Sequence, residues 1–373
     1  MGSGDRETPA YYIGLLSGTS LDSIDAAIID LSGQNFQLID ALSYTIPNSL
    51  RQQLIALCLP DQNEIDRMGE ADRALGKVFA DAANTLLSQC NIPKQAIQAI
   101  GCHGQTIRHR PQLQHPFTLQ IGDPNTIAYE TGITTVADFR RKDIAAGGQG
   151  APLASAFHQA AFASKKHNRA IINIGGMANI TYLGSNGDNL GFDTGPGNIL
   201  MDSWINKHQQ KDYDDRGEWA AGGSVDPALL SQLMAHAYFQ QDLPKSTGRE
   251  DFNLIWLEQV TASLTLSPQD IQATLLELTA QTISNEIKKL PAAVNEIYIC
   301  GGGAFNSHLM LRLEALAHPK LIANTAQLGI AAPWVEAATF AWLAKQTITR
   351  QYANLVNATG AKEMVVLGAV YYV

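Results

Sequence analysis

The sequence predicts an α/β protein of two domains, and three observations carry that reading. The chain has 373 residues, too many for one compact core. Apolar strand patterns alternate with amphipathic helical ones. A strand, a glycine-rich turn and a second strand occur twice, far apart, as though two halves followed one plan. Apolar residues make up 45 %, enough for a sizeable interior, and charged residues only 16 %, which argues against disorder and coiled coil. A net charge of −9 disfavours nucleic acid and anionic membrane surfaces as partners.

Met1–Ala10 is polar, without the apolar stretch of a secretory leader, and reads as a tail. No window has the apolar length of a membrane span, so a soluble cytoplasmic protein is expected. Cys58, Cys90, Cys102 and Cys300 lack C-x-x-C spacing, which speaks against a disulfide framework or structural zinc site. The first element is a strand at Tyr11–Leu16, joined through Ser17–Ser20 to a second at Ile24–Leu31. Asn63 is placed to cap a helix whose apolar face holds Ile65, Met68, Leu75, Val78, Phe79, Ala82 and Leu86. The second hairpin runs from Ile171–Ile174 through Gly175–Asn179 to Ile180–Leu183. Ser267-Pro268-Gln269-Asp270 is a helix start, continued by Ile271, Leu275, Leu278, Ile283 and Ile287. Ile297–Cys300 is a short buried strand, and Gly301–Gly303 leads to a helix after Asn306.

Four glycine-rich stretches could carry chemistry: Ser17–Ser20, Gly147–Gly150, Asp193–Asn198 and Gly301–Gly303. None is a Walker A loop or a G-x-G-x-x-G fingerprint. They are either tight turns or anion cradles made of exposed backbone N–H groups. Asp193 ends an apolar approach to a Gly/Pro bend, where it serves as a general base or caps its own turn. In Asp138–Asp143 one arginine holds an anionic group, or the six residues form a solvated loop. His103, between Gly101-Cys102 and Gly104, projects into a cleft or is a hydrogen-bonded structural histidine.

In order, these phrases resemble the anhydro-N-acetylmuramic acid kinases of bacterial cell-wall recycling. The matching segments are Gly14–Asp22, His103–Thr106, Gln120–Asp123, Asp138–Leu153, Ile174–Asn179, Gly191–Asn198 and Gly301–Asn306. Ser23 stands where members often have glycine. The resemblance implies an actin-like (ribonuclease H-like) ATPase fold, two α/β domains closing on a nucleotide in the cleft between them. By analogy the first domain takes residues 11–130 with 346–373, and the second 131–345.

The resemblance also implies site residues. ATP phosphates would lie near Gly18, Thr19, Ser20, Leu21, Asp22, Ser23, Ile24 and Asp25, and near Gly175, Gly176, Asn179, Gly195, Gly197 and Asn198 of the second half. Adenosine would lie near Gly301, Gly302, Gly303 and Asn306. Arg140, Glu336, Gln120 and His103 would bind the sugar, and Asp193 would be the catalytic base. The first strand carries no acid, so Asp22 is expected to act on Mg²⁺ through water. The implied activity opens 1,6-anhydro-N-acetylmuramic acid with water and phosphorylates O6 with ATP, in a homodimer. A kinase for another sugar hydroxyl, or a non-enzymatic actin-like nucleotide switch, are the alternatives.

Overall fold

The computed structural model describes residues 8–18, 21–33, 36–58, 61–243, 245–249, 251–317 and 321–373. The chain forms two compact units: the described residues of Met1–Phe162 with Leu328–Val373, and those of Ala163–Gln327. Cuts near 130 and 345 are therefore corrected. Residues 131–162 and 328–345 belong to the first unit because they complete its sheet: strand β7 (Thr135–Ala137) pairs parallel with β4 (Ile97–Cys102), and helix α6 (Val335–Ile348) packs on it.

In the first unit β1 (Tyr11–Ser17) pairs antiparallel with β2 (Ser23–Asp30), Ser17 opposite Ile24, so the predicted hairpin forms. With β3 (Gln37–Thr45) and β13 (Ala369–Tyr371) the order is β13-β7-β4-β1-β2-β3. Ile13 and Leu15 point into a core with Leu75, Phe79 and Leu86 of helix α1 (Glu64–Cys90). Gly14 therefore faces the opposite side of the sheet. Helix α6 lies there, and its backbone approaches so closely that a Cβ on Gly14 would sit 1.7 Å from the Ala337 carbonyl oxygen. Gly101, the register partner of Gly14, meets the Phe340 carbonyl in the same way. Two details of α1 differ from expectation. Asn63 adopts a left-handed φ of 52° and makes no side-chain cap, because that conformation turns its amide away from the first-turn N–H groups. Ile65 is 80 % exposed, so the buried face starts later, at Ala71.

The second unit has its own core. Its sheet, β10-β9-β8-β11-β12, comprises β8 (Arg169–Ile174), β9 (Met177–Leu183), β10 (Asn189–Pro196), β11 (Glu296–Cys300) and β12 (Leu321–Asn324). An antiparallel β8–β9–β10 meander is followed by parallel β11 and β12, just as β1–β2–β3 is followed by β4 and β7. The expectation that both halves share one plan is met in the sheet order. Helix α3 (Ile199–Gln209) follows β10, and helix α4 (Pro268–Lys288) starts as read, with Ser267 Oγ accepting from the Asp270 amide. Helix α5 (Ser307–Ala317) follows a single 3₁₀ turn after β11.

Candidate active site

In the first unit the close seat of α6 on Gly14 and Gly101 fixes where the first turn of that helix lies, and Glu336 is in that turn. Glu336 is open to solvent at the surface, but the protein packed around it and the Asp25 carboxylate push its carboxyl upward, and the Arg140 guanidinium partly offsets them. Arg140 is on helix α2 (Phe139–Ala145). Its Nε donates to His103 Nε2 at 3.0 Å and its Nη1 to the Gly150 carbonyl at 2.8 Å. Burial pulls Arg140 down to about 10, with Glu336 and Asp143 countering it. Because arginine only donates, His103 Nε2 must be unprotonated. Burial and the arginine hold His103 well below its ordinary range, in agreement. His103 thus acts on Arg140, and its own ring packs on Phe340, the centroids 4.7 Å apart and the planes tilted by 35°.

The Asp138–Asp143 phrase is largely a helix rather than a solvated loop. Asp143 is fully buried and accepts from the Gly150 amide, Asn354 Nδ2 and Thr359 Oγ1, each at 2.8 Å. It thereby holds the loop whose Gly150 carbonyl fixes Arg140. Gly148 has to be glycine there, since a Cβ would come within 2.3 Å of Asp143 Oδ2. Arg141 and Lys142, by contrast, are exposed. Gln120 is on β6 (Phe117–Ile121), its Nε2 donating to Thr106 and Thr118 hydroxyls. With His103 it lines a small cavity of about 120 Å³ that neither Arg140 nor Glu336 lines.

Thr19 and Ser20 lie outside the described residues. On either side of them, Leu21 N–H donates to the Gly18 carbonyl, and Ser17 Oγ is buried with no partner among the described residues. Ser23 and Ile24 open β2, and Asp25 accepts from Ser43. Burial raises the Asp25 carboxyl, the Ser43 bond lowers it, and Asp22 raises it again. Asp22, Asp25 and Glu336 thus form a chain of like charges that a cation would relieve. Among the described residues no three His, Cys, Asp or Glu side chains make a ready metal cage. One or two carboxylates with waters and phosphates suit Mg²⁺, so these residues fit that ion.

In the second unit the β8–β9 turn is tied to the loop after β10. Gly197 and Ile199 donate to the Gly176 carbonyl, and Asn198 to the Gly175 carbonyl, at 2.8–3.1 Å. This corrects the idea that Gly197 and Asn198 offer their amides to a phosphate: both face the neighbouring turn. Gly197 is glycine because a Cβ would meet the Gly175 oxygen at 2.4 Å. Asn179 pairs across the sheet with both Asn173 and Asp193. A cavity of about 700 Å³ opens beside Asn198, Asp202, Arg216, Gly302, Phe305 and Asn306. Gly301 reaches φ 77°, and Gly303 packs so tightly on Ile174 that a Cβ would come within 2.4 Å. Asn306 Oδ1 caps α5 through the Leu309 amide. Burial, with Asp214 and Asp212, pushes Asp202 up to about 7.

Asp193 sits where β10 bulges: it pairs with Asn179, whereas Gly195, two residues on, pairs with Ala178. A bulge of this kind re-aims a side chain. Its carboxylate Oδ2 accepts from the Thr247 amide at 3.0 Å, 54 residues away, a long-range contact made outside its own bend. Asp193 N–H donates to the Lys245 carbonyl, and its carbonyl accepts from the Tyr238 hydroxyl at 2.6 Å.

A family model described as anhydro-N-acetylmuramic acid kinase matches residues 10–373. The chain belongs to this family. The anhydro-N-acetylmuramic acid kinase of Shewanella oneidensis is 54 % identical over 361 residues, 96 % of this chain and 98 % of that protein. That of Coxiella burnetii is 50 % identical over 363 residues, 97 % of each. Among solved structures, (R)-2-hydroxyglutaryl-CoA dehydratase component A of Acidaminococcus fermentans covers 89 % of this chain and 96 % of its own, at 11 % identity and a TM-score of 0.48. The family resemblance read from the motifs is therefore met, and the α/β class with it. Among the described residues no helix is long and apolar enough to cross a membrane.

Asp143, Tyr238, Lys245 and Thr247 escaped sequence reading. Asp143 left a trace, an acid three positions after Arg140 and just ahead of a glycine-rich loop. Tyr238, Lys245 and Thr247 left none, because they reach Asp193 across 45 to 54 residues.

Proposed function

We propose that this protein uses ATP to convert 1,6-anhydro-N-acetylmuramic acid and water into N-acetylmuramic acid 6-phosphate and ADP. The observation that carries the reading is a family match running unbroken from residue 10 to 373, through both glycine-rich halves. In the anhydro sugar O6 is tied to C1, so no free 6-hydroxyl exists to attack phosphorus. Asp193 takes a proton from water, the water oxygen bonds to C1, the C1–O6 bond breaks, and O6 takes the γ-phosphoryl group. An alkoxide leaves poorly, so cleavage and phosphoryl capture overlap in time. The half-buried Arg140, held by His103 and Gly150, binds the lactyl carboxylate or a neighbouring sugar oxygen, and Glu336 lies beside it in charge range. The cavity at Gly302–Asn306 has the size for a nucleoside. Asp22 and Asp25 would hold Mg²⁺ through water; when bound, the ion neutralises phosphate charge. The same reading takes the working form to be a cytoplasmic homodimer, on the strength of the family resemblance.

The test is a single-turnover reaction in H₂¹⁸O, quenched before the sugar's anomeric oxygen exchanges with solvent. One ¹⁸O at C1, in a product heavier than the sugar by water plus a phosphoryl group, is the expected result. A phosphorylated product without solvent oxygen at C1, or equal turnover of an ordinary hexose, would make it a conventional sugar kinase. ATP turnover indifferent to sugar would make it a nucleotide switch. Separately, Arg140→Ala is expected to raise the sugar KM by about tenfold or more, the range of a lost charge-assisted contact, with a smaller change in kcat. Steady-state kinetics at saturating ATP read this directly, and an unchanged KM would remove Arg140 from the binding role.

A further inference from the structure

The Lys245 ammonium is 1 % exposed and lies 2.8 Å from Glu286, a residue of α4 that is itself 3 % exposed. An apolar pair of similar size stabilises a core as well as a buried ion pair does, so stability does not explain this one. Its connections do. The ammonium also reaches the Tyr238 carbonyl at 3.4 Å and lies 4.7 Å above the Tyr238 ring. The backbone carbonyl of Lys245 accepts from Asp193 N–H, and the Tyr238 hydroxyl donates to the Asp193 carbonyl. Two residues after Lys245, the Thr247 amide donates to Asp193 Oδ2, while the Thr247 hydroxyl donates to Asp251 at 2.7 Å.

We infer that Tyr238, Lys245 and Glu286 are positioning residues for Asp193. They pin both backbone groups of that residue, and they anchor to α4 the segment whose amide holds its carboxylate. The inference rests on Asp193 as the base. Tyr238 lies within electrostatic range of Asp193, Glu286 and Asp251, and Glu286 carries both Lys245 and Lys289. The Thr247 amide holds one carboxylate oxygen, so loosening the segment lets Asp193 turn out of the orientation in which it acts.

The deciding variant is Lys245→Met with Glu286→Leu, which removes both charges and leaves an apolar contact. It is expected to fold, by circular dichroism and thermal melting, and to lose about tenfold or more in kcat, as misplaced groups do. Both KM values stay within about twofold, a split that a general loss of structure would not give. A folded double variant with the parent's kcat overturns the inference. Should it not fold, Tyr238→Phe decides: it deletes the one hydroxyl on the Asp193 carbonyl, and a parental kcat there overturns the inference equally. Asp193→Asn separates the two layers. If it turns over normally, the base reading fails; if it is inactive while the positioning variants match the parent, only the positioning role fails.

Discussion

Asp193→Asn is expected to lower kcat by about a hundredfold or more, the range of a lost general base. The amide cannot take a proton from water, yet its oxygen can still accept from the Thr247 amide, which now bonds to Oδ2 at 3.0 Å. The Tyr238 and Lys245 contacts are to backbone atoms and survive the change. The fold and ATP affinity should therefore stay close to the parent's, so the loss falls on turnover. Initial rates at saturating sugar and ATP, with nucleotide binding by calorimetry, make the measurement. A near-normal kcat refutes the assignment. A large loss of ATP affinity would instead place Asp193 in nucleotide binding.

Gly14→Ala is expected to cost about 3 kcal/mol of stability or more, at the upper end for overpacking. The new methyl would stand 1.7 Å from the Ala337 oxygen, 2.7 Å from its carbonyl carbon and 2.9 Å from the Ala341 nitrogen. All three are backbone atoms of α6, so no side chain can rotate aside and the whole helix must lift. Glu336 rides on that helix, and sugar affinity should fall together with stability. Gly69→Ala is the control: a Cβ there meets nothing within 4 Å, and α1 should gain up to about 1 kcal/mol from the better helix former. Urea titration followed by circular dichroism compares them. A Gly14→Ala midpoint equal to the parent's would mean that α6 does not sit tightly on the sheet.

Both hairpins were legible because alternating apolar residues and small turn residues are local signals, and Ser267 announced its helix for the same reason. Asn63 shows the limit of such signals. The residue type suits a cap, but with its backbone left-handed the side chain makes no cap bond.

The domain cut could not be read locally. Strand β7 and helix α6 join the first sheet by pairing and packing with residues far away in sequence, and no linker composition marks the change. The glycine-rich loops divide in the same way. Their composition shows that backbone comes close to something. Only the folded chain shows that Gly197 approaches the Gly175 carbonyl, and that Gly14 and Gly101 approach α6.

By itself the sequence determined the α/β class, the family and the identity of Asp193, Arg140, His103 and Glu336 as residues of interest, since motifs and periodicity are properties of neighbours in the chain. Tertiary structure decided which of these touch. It set Arg140 on His103 and Gly150, buried Asp143 behind them, and tied Asp193 to Tyr238, Lys245 and Thr247. The physical reason is that a charge withdrawn from water must find partners wherever the fold brings donors and acceptors, and those partners lie 7 to 54 residues away along the chain.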